Sequence, residues 1–229
     1  MISTSRFFRF AITFLMGCFI FIVLPAFAWG LTNLDAFLAN PARLGYVVLV
    51  LLMNAFAAYR IPEVGKTREN PTSSVPRQHL VVSLLKILSL SLVLVGPFCD
   101  RHDLGVLPDQ QTVRWVGLTL YLIGFMAMHL AEAQLGRHFS VEVAVQRDHR
   151  LVTDGLYRHV RHPRYSGIIV FSFGISLVFR SWFDILLSGI TILVLLWRIH
   201  DEEGLMHRQF GSQWEAYCQR SWRLVPFVF

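Results

Sequence analysis

A dense cationic run occupies residues 158–164 of this 229-residue chain. Five of its seven positions carry arginine or histidine, namely Arg158, His159, Arg161, His162 and Arg164. An apolar stretch long enough to enter a bilayer follows at once, and charged side chains at a membrane are costly unless they have a use. The run therefore predicts a site for a small charged ligand at the edge of the membrane.

A second polar group lies one apolar hairpin later, at residues 198–203, and includes two adjacent acids, Glu202 and Glu203. Because consecutive helical residues point about 100° apart, the two carboxylates are predicted to have different roles. One would accept hydrogen bonds from a ribose or an ammonium group, and the other would pair with Arg161 or Arg198. The alternative for either glutamate alone is a solvated helix end.

Pro163 predicts where a helix begins, because proline suits the first helical turn. Arg161 and His162 then lie just before the helix, where free N–H groups and the positive end of the helix dipole favour an anion such as a carboxylate. Gly167, one turn further on, permits the close approach of a ligand or of another helix. The alternative for the arginines of the run is that they anchor the chain to lipid phosphates.

The elements that must position these residues are membrane helices. The chain is 54% hydrophobic and only 16% charged, with a mean hydropathy of +0.50, and a soluble domain of this length needs more polar surface. We predict an all-α, polytopic transmembrane bundle of about five or six helices. Its apolar segments are residues 8–29, 43–59, 80–98, 113–135, 165–180 and 183–199.

The two ends of this series need separate interpretation. The last two segments are separated only by Arg180, Ser181 and Trp182, which predicts a tight C-terminal helical hairpin. The first segment ends near Ala26-Phe27-Ala28, which resembles a signal-peptidase site, but its length and flanks favour a retained first helix. The bundle has six spans on that interpretation and five if the segment is removed.

The positive residues concentrate in alternate loops, and arginine carries almost all of the formal charge of +6. By the positive-inside rule, both termini, loop 60–79 and loop 136–164 are predicted to be cytoplasmic. The opposite loops are poorer and hold Arg43, Arg101 and Arg180. This distribution predicts an orientation among membrane lipids rather than a nucleic-acid surface, and it puts the candidate site on the cytoplasmic side.

Other kinds of site find little support. The histidines lack metal-ligand spacing and the three cysteines form no CxxC pair, so neither a metal site nor a disulfide framework is expected. No Walker loop, GxGxxG or GxSxG motif is present, so any cofactor must be held by the membrane helices and loop ends. His129 and Glu132, one turn apart in an apolar segment, either line a substrate path or join two helices.

Several motifs in the second half of the chain resemble the isoprenylcysteine carboxyl methyltransferase family. They are LGRHFS at 135–140, LVTDGLY at 151–157 and RHPRYSG at 161–167, together with Glu202, Glu203, Phe210, Gly211, Tyr217 and Pro226. We expect residues 113–229 to form the methyltransferase core. Residues 1–112, membrane helices and a linker, carry no such signature.

The resemblance implies a membrane enzyme that uses S-adenosylmethionine, bound in a cytoplasmic pocket of the last helices and the C-terminal segment. A lipophilic acceptor, above all an isoprenylcysteine carboxylate, would enter from the bilayer. By match, the cofactor-binding residues are Leu151, Val152, Gly155, Tyr157, His162, Tyr165, Gly167, Glu202 and Glu203, and the catalytic residues are Arg161, His162 and Glu202.

The acceptor's chemistry decides which further groups are needed. Arg161, or another arginine of loop 136–164, would orient a carboxylate, which needs no general base. An amine or thiol acceptor would have to lose a proton, and His162 or His129 would then assist.

Two other functions stay open. Membrane sterol reductases use NADPH and end in a similar Arg-His-Pro pattern, although Arg164, Ser166 and Ile168 depart from it. A non-catalytic transporter or assembly protein is the third class. A transporter would place polar residues at mid-membrane on several segments, and here they are sparse, chiefly Asn54, Lys86 and His129.

Overall fold

Helices account for nearly all of the described structure. The computed structural model describes residues 4–60, 73–74, 78–108, 110–136, 144–145 and 151–228. Within these ranges the helices are α1 (Thr4–Cys18), α2 (Leu24–Trp29), α3 (Leu34–Ala39), α4 (Pro41–Arg60), α5 (Gln78–His102), α6 (Gln111–Leu135), α7 (Pro163–Val178), α8 (Trp182–Phe210) and α9 (Ser212–Cys218). The all-α prediction is confirmed.

Two very short strands join the loops between the helices. Strand β1 (Ser73–Ser74) pairs antiparallel with β2 (Ala144–Val145). One strand belongs to loop 60–79 and the other to loop 136–164, so the two loops that were predicted to share the cytoplasmic side meet at this point. The alternation of apolar residues in the sequence carries no sign of this pairing.

Five helical stretches are long and apolar enough to cross a membrane: Phe7–Trp29, Pro41–Tyr59, His79–His102, Gln111–Leu135 and Trp182–Phe210. Helix α7 is apolar but has only 16 residues. These six correspond to the six predicted segments, and the predicted hairpin is formed by α7 and α8. The last apolar segment, residues 183–199, covers only part of its helix, because hydropathy marks the apolar part of a helix and not its end. Helix α8 continues to Phe210, so the acids at 201–203 are helical.

Helices α6 and α7 pack closely against each other through glycines. A Cβ added at Gly124 would lie 2.7 Å from the carbonyl oxygen of Gly167, and one added at Gly117 would lie 2.8 Å from that of Gly174. Small residues let membrane helices approach backbone to backbone, where no larger side chain fits. This contact fixes the start of α7, and with it the cationic run, against the end of α6.

The first membrane helix is interrupted by a π-helical turn, Phe19–Val23, before it resumes as α2. Pro25 has no N–H to donate to the carbonyl group of Phe21, and the hydroxyl of Tyr46 on α4 donates to that oxygen at 2.7 Å. The turn therefore has a defined packing partner on α4.

An ion network closes the end of the bundle that lies opposite residues 158–164. The buried carboxylate of Asp100 accepts from Arg43 at 3.0 Å, from Arg114 at 2.8 Å and from Arg180 at 2.6 Å. Arg114 also donates to the carbonyl oxygen of Val178 at 2.7 Å. One carboxylate thus joins α4, α5, α6 and the α7–α8 turn. Arg43 and Arg180, which the sequence analysis counted as loop residues, are buried structural groups.

Candidate active site

The C-terminal segment returns to the cationic run and pairs with its backbone. The N–H of Arg161 donates to the carbonyl oxygen of Trp222 at 2.7 Å, and the N–H of Trp222 donates to that of His159 at 2.8 Å. The N–H of His162 donates to Arg223 at 3.0 Å. The tail therefore packs along the cationic run, and its contribution to a cofactor pocket stays a prediction.

The side chain of Arg161 holds this tail in place. Its Nε donates to Glu203 at 3.0 Å, and its Nη1 donates to the carbonyl oxygen of Cys218 at 3.2 Å and to both oxygens of Ser221. These contacts use the guanidinium to connect α8, α9 and the tail. The role of Arg161 in this structure is therefore structural. It is not among the residues that line the cavity between the helices.

Glu203 is the acid that pairs with cations, as predicted for one of the two glutamates. Its carboxylate accepts from Arg161 at 3.0 Å, from Arg223 at 2.9 Å and is 3.3 Å from Nε2 of His162. Three cationic or potentially cationic groups surround one half-buried carboxylate. Glu203 is thus committed to protein contacts.

Glu202 faces another way, as the 100° offset requires. Its Oε2 accepts from the hydroxyl of Tyr165 at 2.7 Å, and the same hydroxyl accepts from Nε of Arg198 at 2.6 Å. The imidazole of His162 stacks on the ring of Tyr165 at 5.5 Å. The Glu202 side chain is 27% exposed, and among the described residues its other oxygen has no hydrogen-bond partner, so this carboxylate is available to a ligand.

Tyr157 lies on a 3-10 turn, Gly155–Arg158, beneath the same cluster. Burial raises the pKa of Tyr157 well above its usual value, and the nearby charge of Glu202 raises it further. Tyr217 donates its hydroxyl to the carbonyl oxygen of Tyr157 at 2.6 Å, and burial raises the pKa of Tyr217 to about 12. Both phenols are therefore neutral donors at physiological pH.

The turn itself depends on Gly155, which has φ +58 and whose added Cβ would overlap the side chain of Gln134. That side chain accepts from the N–H of Leu156 at 2.8 Å and ties the turn to the end of α6. Leu151 and Val152 precede the turn and are partly buried. The turn brings Tyr157 toward Glu202, whereas Leu151 and Val152 lie before it, without hydrogen bonds to other described residues.

Gly167 differs from the other predicted site residues. A Cβ at Gly167 would lie 2.8 Å from both the carbonyl oxygen of Gly124 and the side chain of Met128. Of the two uses that the sequence allowed, the structure shows the approach of another helix. Its predicted contact with a cofactor has no support in this geometry.

A cavity of about 620 Å³ opens between the helices next to the polar cluster. Its wall is mainly apolar and comes from α4, α5, α6, α7, α8 and the π-helical turn. The polar or charged residues in its lining are Asn54, Lys86, Ser89, Tyr121, His129, Arg164, Ser172, Thr191 and Arg198. Arg164 and Arg198 were part of the polar groups in the sequence, but nothing in their spacing predicted that they share a cavity.

One acid supports the cationic side of this cavity. Glu132 accepts from Nε of Arg164 at 2.8 Å and is 3.2 Å from Nδ1 of His129. The ring of His129 also packs edge-on against Phe125. Glu132 therefore joins α6 to α7 through Arg164, and His129 lines the cavity, whose use as a substrate path stays a prediction.

Part of the predicted site lies outside the described residues. This holds for Arg137, His138, Phe139 and Ser140 of the LGRHFS motif and for Arg147 and Arg150. Within the described residues, no group of three histidine, cysteine or acidic side chains is arranged to hold a metal ion.

Comparison with known proteins gives consistent results. A sequence profile of the isoprenylcysteine carboxyl methyltransferase (ICMT) family matches residues 115–208. Protein-S-isoprenylcysteine O-methyltransferase A of Arabidopsis thaliana is 31% identical over 165 residues, covering 67% of this chain and 76% of that protein. The probable protein-S-isoprenylcysteine O-methyltransferase of Oryza sativa subsp. japonica is 27% identical over 162 residues, covering 68% and 83%.

A solved structure of a eukaryotic intramembrane Ras methyltransferase, an isoprenylcysteine carboxyl methyltransferase, aligns with 98% of this chain and 95% of its own. The TM-score is 0.48 at 15% sequence identity.

An apolar helical bundle with a buried polar cluster at one end defines an integral membrane protein with a candidate active site at that end. Given the relatives above, the chain belongs to the isoprenylcysteine carboxyl methyltransferase family and is a membrane methyltransferase. Family membership favours methyl transfer over the NADPH-dependent reductase and the non-catalytic alternatives. The division at residue 113 remains a prediction.

Proposed function

We propose that this enzyme transfers a methyl group from S-adenosylmethionine to the carboxylate of a lipophilic acceptor of the isoprenylcysteine type. One observation carries the proposal: Arg198 belongs both to the polar cluster around Tyr165 and Glu202 and to the lining of the apolar cavity. A polar ligand at the cluster and an apolar ligand in the cavity would therefore meet across a single side chain.

The residues of the cluster suit the methyl donor. S-adenosylmethionine supplies an electrophilic methyl group on a sulfonium, and it also carries a ribose and an ammonium group. The available oxygen of Glu202 is an acceptor for such donors, and Tyr165, held between Glu202 and Arg198, keeps that carboxylate oriented. His162, Tyr157 and the turn at Gly155 form the adjoining wall. Leu151, Val152 and Glu203 stay candidates by family resemblance alone.

The cavity suits the acceptor. Its volume of about 620 Å³ falls in the usual range for small-molecule sites, and its apolar wall matches an isoprenyl chain. Arg164 lines the cavity and is held by Glu132, so it takes the carboxylate-orienting role that was predicted for Arg161 or another arginine of its loop. Positioning two reactants in a water-poor site is the main contribution such an enzyme needs to make.

The arginine distribution supports a cytoplasmic location for both the cluster and the termini. A cytoplasmic site would have direct access to a soluble methyl donor, while the acceptor's chain stays in the bilayer. Reporter fusions at the two termini would test this orientation, and opposite locations of the termini would contradict it.

The direct experiment measures methyl transfer by the detergent-purified full chain. We expect N-acetyl-S-farnesylcysteine to be methylated with S-adenosylmethionine, and the product to release methanol in alkali, because only an ester is alkali-labile. A methylated but alkali-stable product would contradict carboxyl methylation, and no transfer would contradict the acceptor class.

Donor binding is measured separately by calorimetry. Glu202→Gln should weaken S-adenosylmethionine binding by at least about tenfold, since it removes a hydrogen bond to a charged group. Glu215→Gln is the matched control, because Glu215 is 61% exposed and, among the described residues, pairs with an exposed histidine alone. Equal binding by both variants would contradict the donor site.

A further inference from the structure

Lys86 is a cation within a membrane helix. It is eight residues after the start of α5 at Gln78, which is about 12 Å along the helix axis. The side chain contributes to the lining of the apolar cavity. The preceding residue, Leu85, packs against the cluster formed by Tyr165, Leu195 and Ile199, so Lys86 lies at the depth of the candidate active site.

Among the described residues, none of the acids around the polar end of the cavity contacts Lys86. Glu132 is held by Arg164 and His129, Glu203 by Arg161, His162 and Arg223, and Glu202 contacts Tyr165. Among the described residues, Lys86 forms no ion pair and no hydrogen bond. Lys86 is exposed but lies within an apolar membrane span, where an ammonium group is costly without an anion, and no described acid contacts it.

We propose that Lys86 contacts the anionic headgroup of the acceptor and makes the enzyme prefer an acid to a neutral analogue. The inference rests on the proposed function, and it adds to Arg164 of α7 a second cation that lines the same cavity from α5. Cations from α5 and α7 would hold one carboxylate at the polar end while its apolar chain occupies the rest. Lys86 is a specificity-determining residue in this arrangement.

The test compares an acid with its neutral analogue. N-acetyl-S-farnesylcysteine is the acceptor, and its carboxamide, which has the same shape, is tested as a competitive inhibitor. For the wild type we expect the acid to bind at least about tenfold more tightly than the amide. Lys86→Met should weaken binding of the acid by roughly 10- to 100-fold, as expected for loss of a charged hydrogen bond. It should leave the inhibition constant of the amide and the donor affinity unchanged.

Two further variants control for packing and charge. Lys86→Arg should restore the preference for the acid, because it returns a cation. Ser83→Met changes a residue of α5 that is exposed and outside the cavity lining, and it should behave as the wild type. Equal weakening of acid and amide by Lys86→Met would overturn the proposal and make Lys86 a packing residue.

Two further comparisons are needed. One distinguishes an acceptor carboxylate from a lipid phosphate as the anion, and the other distinguishes failure of the Lys86 proposal from failure of the proposed function. Inhibition by phosphatidylglycerol in nanodiscs that disappears in Lys86→Met, without loss of the acid preference, would assign Lys86 to lipid phosphates and overturn the inference. A wild type that methylates the acid, with an unchanged preference in Lys86→Met, would refute only the role of Lys86. A wild type that methylates no isoprenylcysteine carboxylate would refute the proposed function and this inference with it.

Discussion

At the scale of single residues, the guanidinium groups at 161 and 164 have separate tasks although they are three positions apart. Arg161 points to the tail and donates to Glu203, Cys218 and Ser221. Arg164 points to α6, where Glu132 holds it at the edge of the cavity. The first connects elements, and the second is placed to meet an acceptor.

Arg161→Gln should therefore release the C-terminal tail. It removes the charged bonds that join the tail to α8, so we expect faster proteolysis after residue 218 and a loss of about 2–4 kcal/mol of stability. Limited proteolysis and thermal unfolding in detergent measure this effect. Arg158→Gln is the matched control, because Arg158 is exposed. Equal protection of the tail in both variants would show that the backbone hydrogen bonds between the tail and the cationic run are enough to hold the tail in place.

His129 distinguishes acceptors that lose a proton from those that do not. A carboxylate acceptor is already ionised, so His129→Gln should keep kcat within about threefold of the wild type, well short of the 10²- to 10⁴-fold contribution of a general base. Steady-state kinetics with the farnesylated acid measures this. A loss of two orders of magnitude would instead indicate an acceptor that is deprotonated during transfer.

At the scale of elements, the contact between α6 and α7 determines where the cationic run lies. Four glycines at matching intervals of seven residues, Gly117 and Gly124 on one helix and Gly167 and Gly174 on the other, let the two backbones touch. The last turn of α6 thereby faces the first turn of α7, and Glu132 reaches Arg164. The site depends on this packing although only one of the four was predicted to belong to it.

Gly167→Ala should destabilise the bundle. Its methyl group would lie 2.8 Å from the Gly124 carbonyl oxygen, and such overpacking costs about 1–3 kcal/mol. Gly189→Ala on α8 is the matched control, because a Cβ there has no neighbour within 4 Å and alanine favours the helix. The melting temperature in detergent should fall for the first variant and not for the second. Equal melting temperatures of the two variants would show that α6 and α7 can move apart at Gly167 without loss of stability.

At the scale of the whole molecule, the two ends of the bundle are built differently. The end at Asp100 is closed by three arginines on one buried carboxylate. The opposite end combines partly exposed acids, cations and a cavity. The ion pairs at Asp100 hold the helices together at one end while ligands exchange at the other. We therefore expect Asp100 to matter for the fold rather than for methyl transfer.

Asp100→Asn should then be among the most damaging single changes. It removes the charge of the buried carboxylate that accepts from Arg43, Arg114 and Arg180, which we expect to cost about 3–5 kcal/mol. Asp103→Asn, three residues away, removes a pair whose acid is 76% exposed and should cost less than about 1 kcal/mol. Yield of folded protein and thermal unfolding measure both. A stable Asp100→Asn variant would show that the arginines find other acceptors.

The sequence by itself determined the helical bundle, the hairpin of α7 and α8, and the meeting of cationic run and acidic pair. It could do so because hydropathy and helical period are local properties of the chain. It also predicted that Glu202 and Glu203 would differ, since their angular offset on a helix is fixed by geometry.

Only the tertiary structure decided what each side chain faces. It assigned Arg161 to the tail, Gly167 to helix packing, and Lys86, Arg164 and Arg198 to a common cavity. These residues come from helices whose relative rotation and depth depend on non-local packing, above all on the glycine contact between α6 and α7. No spacing along the chain encodes that rotation, so the residue types of the site were predictable and their division into binding and structural roles was not.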